Sequence, residues 1–376
     1  MRITTKKLAL LLLFAVGSAS VLHAQQLSYS KSEITQRTQQ IPAEDTHSVG
    51  TLAAALTDGL AGDEAKAYAI YSWVAHNLTY DRLAVENVTT YASLEEVTNE
   101  ALTKRMGVCM HYAQLLDALA DEAGITSLVV SGYVRSEREI YKIPHAWNAL
   151  KIEGDWYLFD PTWGSGYFDR STKLYRQEFS EKYFKIPPSQ MIKTHMPFDP
   201  LMQMLYYPRS ASEFVSGSPP VDSIYLDYAA EVERYRMLPE KQQLAETMAR
   251  MEKQGFANEM VQDHYASLRH QHKVYLANEQ VLLHNRAVYK LNDVIDDYNK
   301  YVAFANSHRS NSDDEVSRKQ AWLRSIEQDA RAVDAMFDNL TVTTDLQQNL
   351  YSNRKSVKEL LNTIADEQKR LREKRR

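Results

Sequence analysis

The stretch Gly107-Val108-Cys109-Met110-His111-Tyr112-Ala113 decides the fold, because it holds the single cysteine of the chain where a helix is predicted to begin. The helix turns four apolar side chains inward and ends at Gly124: Tyr112, Leu115, Leu116 and Leu119. Unpaired N–H groups at a helix N-terminus favour the thiolate, which is the reactive form of cysteine, and the N–H of Cys109 itself can stabilise an oxyanion. Taken alone, Cys109 would more often be a small core residue.

Two further residues turn this cysteine into a candidate nucleophile. His145 begins a predicted strand over 146–152, and Asp160 ends the next strand over 156–160. With a two-residue loop at Glu153 and Gly154, paired positions place Asp160 opposite Trp147, on the face of His145. A loop shifted by one residue keeps the face but moves Asp160 one pair away, and a three-residue loop puts it on the wrong face. We expect a nucleophile, its base and the group that orients the base.

The first 24 residues have the layout of a secretory signal peptide. Arg2, Lys6 and Lys7 precede a short apolar run over 8–16, and Ala24 is the small residue that ends the segment. The run is too short for an ordinary membrane span, and no later run is long enough either. We expect an exported protein, periplasmic or secreted after cleavage near Ala24, with no membrane span in its mature form.

Composition divides the rest of the chain. The formal net charge is −5, which does not favour nucleic acid as a partner, and one cysteine cannot form an internal disulfide. Aromatic residues, glycines and prolines are dense over 68–220, whereas no proline follows Pro239. We expect a signal peptide over 1–24, an N-terminal segment over 25–62, an α+β domain over 63–220 and an all-α, coiled-coil-like region over 221–376.

The last region carries apolar stripes that step by three and four residues, with breaks at 307–312 and 341–345. The stripe residues are Val288, Leu291, Ile295, Tyr298, Val302 and Ala305, then Ile326, Ala330, Val333, Phe337 and Leu340, then Leu346, Leu350, Val357, Leu360 and Ile364. This pattern predicts antiparallel helices or a long hairpin, which sets the oligomeric state or binds a protein partner. Histidines on these helices lack the i, i+4 pairing of a zinc face, so we expect surface residues and no metal site: His264, His270, His272 and His284.

From about Asp63 to Phe214 the chain resembles the transglutaminase-like superfamily, in the branch that includes kyphoscoliosis peptidase and a cytokinesis protein. The motifs that carry the resemblance are Lys66-Ala67-Tyr68-Ala69-Ile70-Tyr71-Ser72-Trp73-Val74, Tyr80-Asp81, Gly107-Val108-Cys109, Tyr112-Ala113, Gly124-Ile125, Gly132-Tyr133, His145-Ala146-Trp147-Asn148, Trp156-Tyr157, Asp160-Pro161-Thr162-Trp163-Gly164, Tyr183-Phe184, Pro187-Pro188 and His195-Met196-Pro197. It implies a papain-like α+β core, with N-terminal helices packed on an antiparallel sheet. It further implies Cys109 as nucleophile, His145 as base and Asp160 as orienter, with no cofactor and no metal. His111 stands where relatives often carry a small residue.

The expected activity is acyl transfer from an amide of a peptide or protein through a Cys109 thioester. Water as acceptor makes the protein a cysteine peptidase or amidase, which the peptidase-like branch favours, and an amine makes it a protein-crosslinking acyl transferase. The alternative from another class is a non-catalytic binding or scaffold protein that uses the same fold.

Overall fold

The computed structural model describes residues 29–86, 91–136, 139–169, 171–172, 174–218, 221, 224–308, 312–341 and 344–373. The predicted signal peptide over 1–24 lies outside these residues. None of the helices in the described ranges combines the length and apolar character needed to cross a membrane. The chain divides into two compact units: unit 1 comprises Met1–Val130 and His145–Met191, and unit 2 comprises Ser131–Pro144 and Ile192–Arg376. The domain boundaries expected from composition stay a prediction.

The described part of unit 1 combines helices with short antiparallel and parallel strands. Its helices are α1 (Lys31–Thr38), α2 (Val49–Thr57), α3 (Gly62–Asn77), α4 (Arg82–Glu86), α5 (Leu94–Lys104), α6 (Cys109–Glu122), α7 (Pro161–Ser165) and α8 (Pro188–Met191). Its strands are β1 (Thr79–Tyr80), β2 (Met106–Gly107), the first half of β3 (Ser127–Val134), β4 (His145–Ile152), β5 (Asp155–Phe159), β6 (Gly166–Asp169) and β7 (Leu174–Gln177). Helix α6 begins at Cys109 and ends just before Gly124, as the sequence predicts.

The antiparallel sheet of unit 1 has the strand order β5-β4-β3. The β4–β5 register pairs Ile152 with Asp155 and Asn148 with Phe159, so the loop contains only Glu153 and Gly154. Both loop residues have positive φ, 52° and 98°, as a type I′ turn requires. The first of the three loops considered from the sequence is therefore the one that forms.

The core of unit 1 lies between its helices and this sheet. Helix α6 packs against α2, α3 and β4, and each of the four side chains predicted to point inward from it is 0% exposed. Trp73 and Tyr71 on α3 and Phe159 on β5 are at most 2% exposed in the same core. Each such side chain contributes roughly 1.5–3 kcal/mol on burial. These contacts hold the start of α6 against the end of the sheet.

Unit 2 contains the second half of β3, which pairs antiparallel with β8 (His195–Pro197). Its helices are α9 (Ala211–Ser216), α10 (Tyr228–Arg236), α11 (Glu240–Gln254), α12 (Glu259–Ser307), α13 (Asp313–Asp338) and α14 (Thr344–Glu373). One core lies around Tyr133, Phe198 and Phe214, where Asp199 accepts a 2.6 Å hydrogen bond from Arg250 of α11. A second core joins α12, α13 and α14. The predicted α+β core followed by a helical region is confirmed.

Two details of the helical region differ from the sequence prediction. On α12, Tyr301 is 1% exposed and Val302 is 36% exposed, so the buried stripe runs through the residue before the one predicted. His284, expected on the surface, is 4% exposed: its Nε2 lies 3.3 Å from Nδ2 of Asn353 on α14, and its ring contacts Phe337 of α13. A straight helix drifts about 20° per seven residues relative to an exact heptad. Around Tyr301, α12 contacts both α13 and α14, so its buried face there is wider than a two-helix seam.

Candidate active site

Cys109 is the first residue of α6 and lies directly after β2. Strand β2 pairs in parallel with β1, so that Gly107 lies opposite Tyr80, and the carbonyl of Gly107 accepts the N–H of Asp81. Cys109 forms no disulfide and is partly exposed. The sulfur thus sits at a helix N-terminus, where N–H groups lack intrahelical partners, on a residue that is in contact with solvent.

His145 is the first residue of β4 and is 8% exposed. The Cys109 side chain forms a hydrogen bond with it. The strand is fixed against α6 by Asn148, whose Nδ2 donates to the carbonyl of Ala113 at 2.9 Å. Asn148 is fully buried and lies on the strand of the base, whereas Ala113 lies one turn after Cys109. This bond therefore sets the distance between the strand that carries the imidazole and the helix that carries the thiol.

Asp160 uses its two carboxylate oxygens for two different contacts. Its Oδ2 lies 2.8 Å from Nε2 of His145. Its Oδ1 accepts the backbone N–H groups of Thr162 and Trp163, at 2.9 and 3.0 Å, so Asp160 is the N-cap of α7. Pro161 at the first helical position fits this cap, because its missing N–H would have had no partner there. The carboxylate is 0% exposed and held in one orientation.

The electrostatics of this pair favour the charged imidazole. Burial alone lowers the pKa of His145, but the charge of Asp160 and the hydrogen bonds to Asp160 and Cys109 outweigh it and raise the pKa to about 10. Because Nε2 faces Asp160, Nδ1 is the ring nitrogen that remains for the sulfur. The rings of Trp147 and Trp163 lie beside the imidazole, with centroids 6.1 and 5.7 Å away. These rings shield the imidazole from solvent, whereas Cys109 is partly exposed.

Tyr80 is a site residue that sequence reasoning missed. Burial raises the pKa of its hydroxyl, and the nearby Cys109 and Asp160 raise it further, which places the hydroxyl in the electrostatic field of both groups. The hydroxyl therefore stays protonated and able to donate a hydrogen bond at any ordinary pH. The Tyr80-Asp81 pair belongs to the quoted motifs. However, Tyr80 comes near Cys109 only because β1 pairs with β2, and strands of two residues leave no recognisable pattern in the sequence.

The structure brings all three predicted site residues together. Cys109, His145 and Asp160 form one hydrogen-bonded line within unit 1, as the loop at Glu153 and Gly154 led us to expect. Their catalytic roles stay predictions. Asn148 is a further residue that fixes the geometry of the site. It belongs to one of the quoted motifs, but no role was predicted for it from the sequence.

Residues 50–161 match the family model of the transglutaminase-like superfamily. Kyphoscoliosis peptidase of Mus musculus is 32% identical over 152 residues, which are 39% of this chain and 22% of that protein, and the Homo sapiens protein gives the same values. Cytokinesis protein 3 of Schizosaccharomyces pombe is 23% identical over 210 residues, which are 54% of this chain and 22% of that protein. The match thus spans about a fifth of the length of these relatives.

Among solved structures, the periplasmic domain of TgpA from Pseudomonas aeruginosa matches with 25% identity and a TM-score of 0.27. That match covers 36% of this chain and 49% of the TgpA domain. A structure described as a TGase matches with 19% identity and a TM-score of 0.26, over 43% of this chain and 40% of that chain.

Proposed function

We propose, on the premise that residues 50–161 belong to the transglutaminase-like superfamily, that this protein is a cysteine-type peptidase or amidase. Its substrate is an amide of a peptide or protein, and its intermediate is a thioester on Cys109. The observation that carries the proposal is the connected line from a partly exposed cysteine through a buried imidazole to a fully buried carboxylate. A reachable thiol joined to a buried imidazole and an orienting carboxylate is the arrangement that activates a cysteine nucleophile.

The proposed reaction starts from the thiolate of Cys109 and the imidazolium of His145. The sulfur attacks the carbonyl carbon, and the charge that develops on oxygen is stabilised by the N–H of Cys109. The C–N bond then breaks as the His145 proton passes to the leaving amine. In the second half, His145 takes a proton from water as the water attacks the thioester. The C–S bond breaks, the acid is released and the proton returns the imidazole to its charged form.

Tyr80 supplies the second oxyanion donor in this scheme. Its neutral hydroxyl lies in the field of Cys109, on the strand that pairs with β2. Tyr80→Phe is expected to lower kcat by a factor on the order of 10²–10³ with little change in KM, because the donor acts on charge that exists only in the transition state. Steady-state kinetics on a cleaved peptide measure this. An unchanged kcat would remove Tyr80 from the scheme.

The direct test uses the single thiol, because S-alkylation of cysteine in this protein can occur only at Cys109 and is read by peptide mapping. Iodoacetamide labelling over a pH series is expected to remain fast below pH 7 in the wild type and to slow strongly in His145→Ala. His47→Ala serves as a matched control, since that histidine is exposed at the end of a short helix. A wild-type thiol that reacts only above pH 8, in a folded protein, would contradict the proposal.

The acceptor decides between the hydrolase and the crosslinker. Two relatives at 32% identity are named peptidases, which favours water. Incubation with a peptide in ¹⁸O-labelled water and a primary amine separates the outcomes by mass spectrometry. Label in a new carboxyl group supports hydrolysis, and an amine adduct supports the acyl transferase. If a Cys109→Ala chain keeps both phenotype and partner binding, the scaffold function replaces the enzyme.

We further propose that the protein is exported and that its C-terminal helices self-associate. The export proposal rests on the leader pattern over 1–24, and sequencing the N-terminus of the mature protein from a cell fraction tests it. Self-association is supported by apolar side chains left exposed on α12 at seven-residue spacing. Tyr275, Leu282 and Tyr289 are 36%, 70% and 72% exposed.

A further inference from the structure

His111 is a buried histidine two residues after the nucleophile, and the proposed reaction does not use it. It is the third residue of α6 and is 4% exposed. Its Nδ1 accepts the backbone N–H of Val108 at 3.2 Å, and its Nε2 lies 3.0 Å from the hydroxyl of Tyr91. The imidazole therefore takes the place of the Glu or Gln side chain at the third position of a capping box, which accepts the N–H of the N-cap residue, here Val108, at the helix that carries Cys109.

The partners of the ring fix the position of its proton. The N–H of Val108 can only donate, so Nδ1 must be unprotonated and Nε2 must carry the hydrogen. Nε2–H then donates to the Tyr91 oxygen, and Tyr91 in turn is hydrogen-bonded to Glu100, whose carboxylate can only accept. Lys104 holds that carboxylate from its other side at 2.7 Å. The hydrogen bonds thus all point the same way, from the backbone beside Cys109 to the carboxylate of α5.

The ring also packs tightly against the strand before the cysteine. A Cβ atom added at Gly107 would lie 2.4 Å from Cγ of His111, so the imidazole fills the space that a side chain would need. Gly107 is the residue that pairs with Tyr80. His111 consequently touches the backbone on which both the sulfur and the proposed second oxyanion donor depend.

We propose that neutral His111 is a positioning residue for the nucleophile. Its ring accepts the N–H of Val108, fixes the backbone over 107–109 and leaves the N–H of Cys109 available for the oxyanion. This inference rests on the proposed function. His111 acts through Val108 and Gly107, and neither of its ring nitrogens takes part in the reaction. Tyr91 and Glu100 keep the required tautomer in place.

Protonation of His111 undoes this arrangement. A second N–H on Nδ1 would face the N–H of Val108, and a positive charge would lie at the positive end of the helix dipole. The groups that face the ring are Glu100 and Lys104 from α5, Asp81 after β1, and Tyr91. Burial lowers the pKa of His111 more than Glu100 and Asp81 raise it. The neutral cap is therefore retained below pH 6.5 and lost only at more acid pH.

The test measures the rate constant for alkylation of Cys109 by iodoacetamide from pH 4.5 to 9. At pH 8, His111→Ala is expected to react about fivefold more slowly than the wild type, because a backbone over 107–109 that is no longer held weakens the stabilisation of the thiolate by the helix N-terminus by about 1 kcal/mol. His111→Asn keeps an acceptor near the position of Nδ1 and cannot titrate. It is expected to restore the rate at pH 8 and to lack the acid-side loss attributed to His111. Wild-type behaviour of His111→Ala across the whole series would overturn the inference.

A second measurement does not depend on reactivity. In Cys109→Ala protein labelled with ¹⁵N-histidine, the His111 ring is expected to show the Nε2–H tautomer at pH 7, and the Nδ1–H tautomer would overturn the inference. Tyr91→Phe is expected to raise the fraction of the other tautomer, because it removes the acceptor for Nε2–H. If the wild-type thiol proves unreactive below pH 8, the proposed function fails, whereas the ring tautomer still decides the role of His111.

Discussion

Asp160 combines two tasks that most proteins assign to separate residues. One oxygen caps α7 and the other holds the imidazole of His145. Asp160→Asn can keep the cap but removes the negative charge beside the ring. We expect turnover to fall about 10³-fold or more, with a smaller loss of stability of about 1 kcal/mol. Kinetics and denaturant unfolding measure the two effects.

Asp227 offers the matched control for this change, because its Oδ1 caps α10 and contacts no candidate site residue. Asp227→Asn should leave turnover unchanged. If Asp160→Asn keeps full turnover, the charge of this carboxylate does not orient the base and the orienter must be sought elsewhere.

The charge state of His145 gives a prediction with a defined pH window. Its pKa is raised to about 10 in the folded protein, against 6.5 for an unperturbed histidine. A raised pKa means that the pair contributes full stability below pH 6.5 and loses this contribution as pH rises through 10. The difference in unfolding free energy between wild type and His145→Gln should therefore narrow between pH 7 and 10. An NMR titration that shows a neutral ring at pH 7 would contradict this.

Single site residues could be predicted from the sequence where a reactive side chain stands at the start or end of a helix or strand. Cys109, His145 and Asp160 all stand at such positions, so their residue types and their places in the chain were enough to select them. Tyr80 and His111 could not be selected in the same way. Their roles depend on the pairing of two-residue strands and on a ring that lies against Gly107, and such contacts form only after the chain has folded.

Among the elements, the β4–β5 hairpin decides whether the base and its carboxylate meet. Its turn holds Glu153 at a φ of 52°, in the left-handed region that asparagine tolerates better. Glu153→Asn is expected to stabilise the protein by roughly 0.5–1 kcal/mol, measured by denaturant unfolding. Asp155→Asn, at the other side of the same turn, is the control and should change little. A loss of stability in Glu153→Asn would mean that the Glu153 side chain matters more than its backbone conformation.

The hairpin and the long helix show why elements differ in how far they can be predicted. The hairpin has a period of two and a short loop, so one correct loop fixes every pair up to Phe159. On α12 the buried face shifts gradually, and around Tyr301 it faces both α13 and α14, so a heptad drawn through Val302 missed Tyr301 by one position. The break predicted at 307–312 lies between the end of α12 at Ser307 and the start of α13 at Asp313, where polar residues mark it locally. The break predicted at 341–345 lies slightly too late in the chain, because α13 ends at Asp338 and α14 begins at Thr344.

For the whole molecule, the exposed residues of α12 make self-association testable on the full chain. Light scattering coupled to size exclusion is expected to show a mass above that of one chain, and Leu282→Glu is expected to return it to one chain. Gln271→Glu, an exposed polar position on the same helix, controls for the added charge. A wild-type protein that remains at the mass of one chain at high concentration would rule out self-association through this stripe.

The chain leaves unit 1 after Val130 and re-enters it at His145, so the candidate base is the first residue after the return. A single cut in the gene therefore cannot separate the two halves, because each cut leaves part of one unit joined to the other. Unit 1 could be produced alone only by ending the chain at Met191, excising 131–144 and joining Val130 to His145, so the new junction would adjoin the candidate base. We therefore expect insertions or deletions over 131–144 to displace His145 from Cys109 and so to lower the reactivity of the thiol.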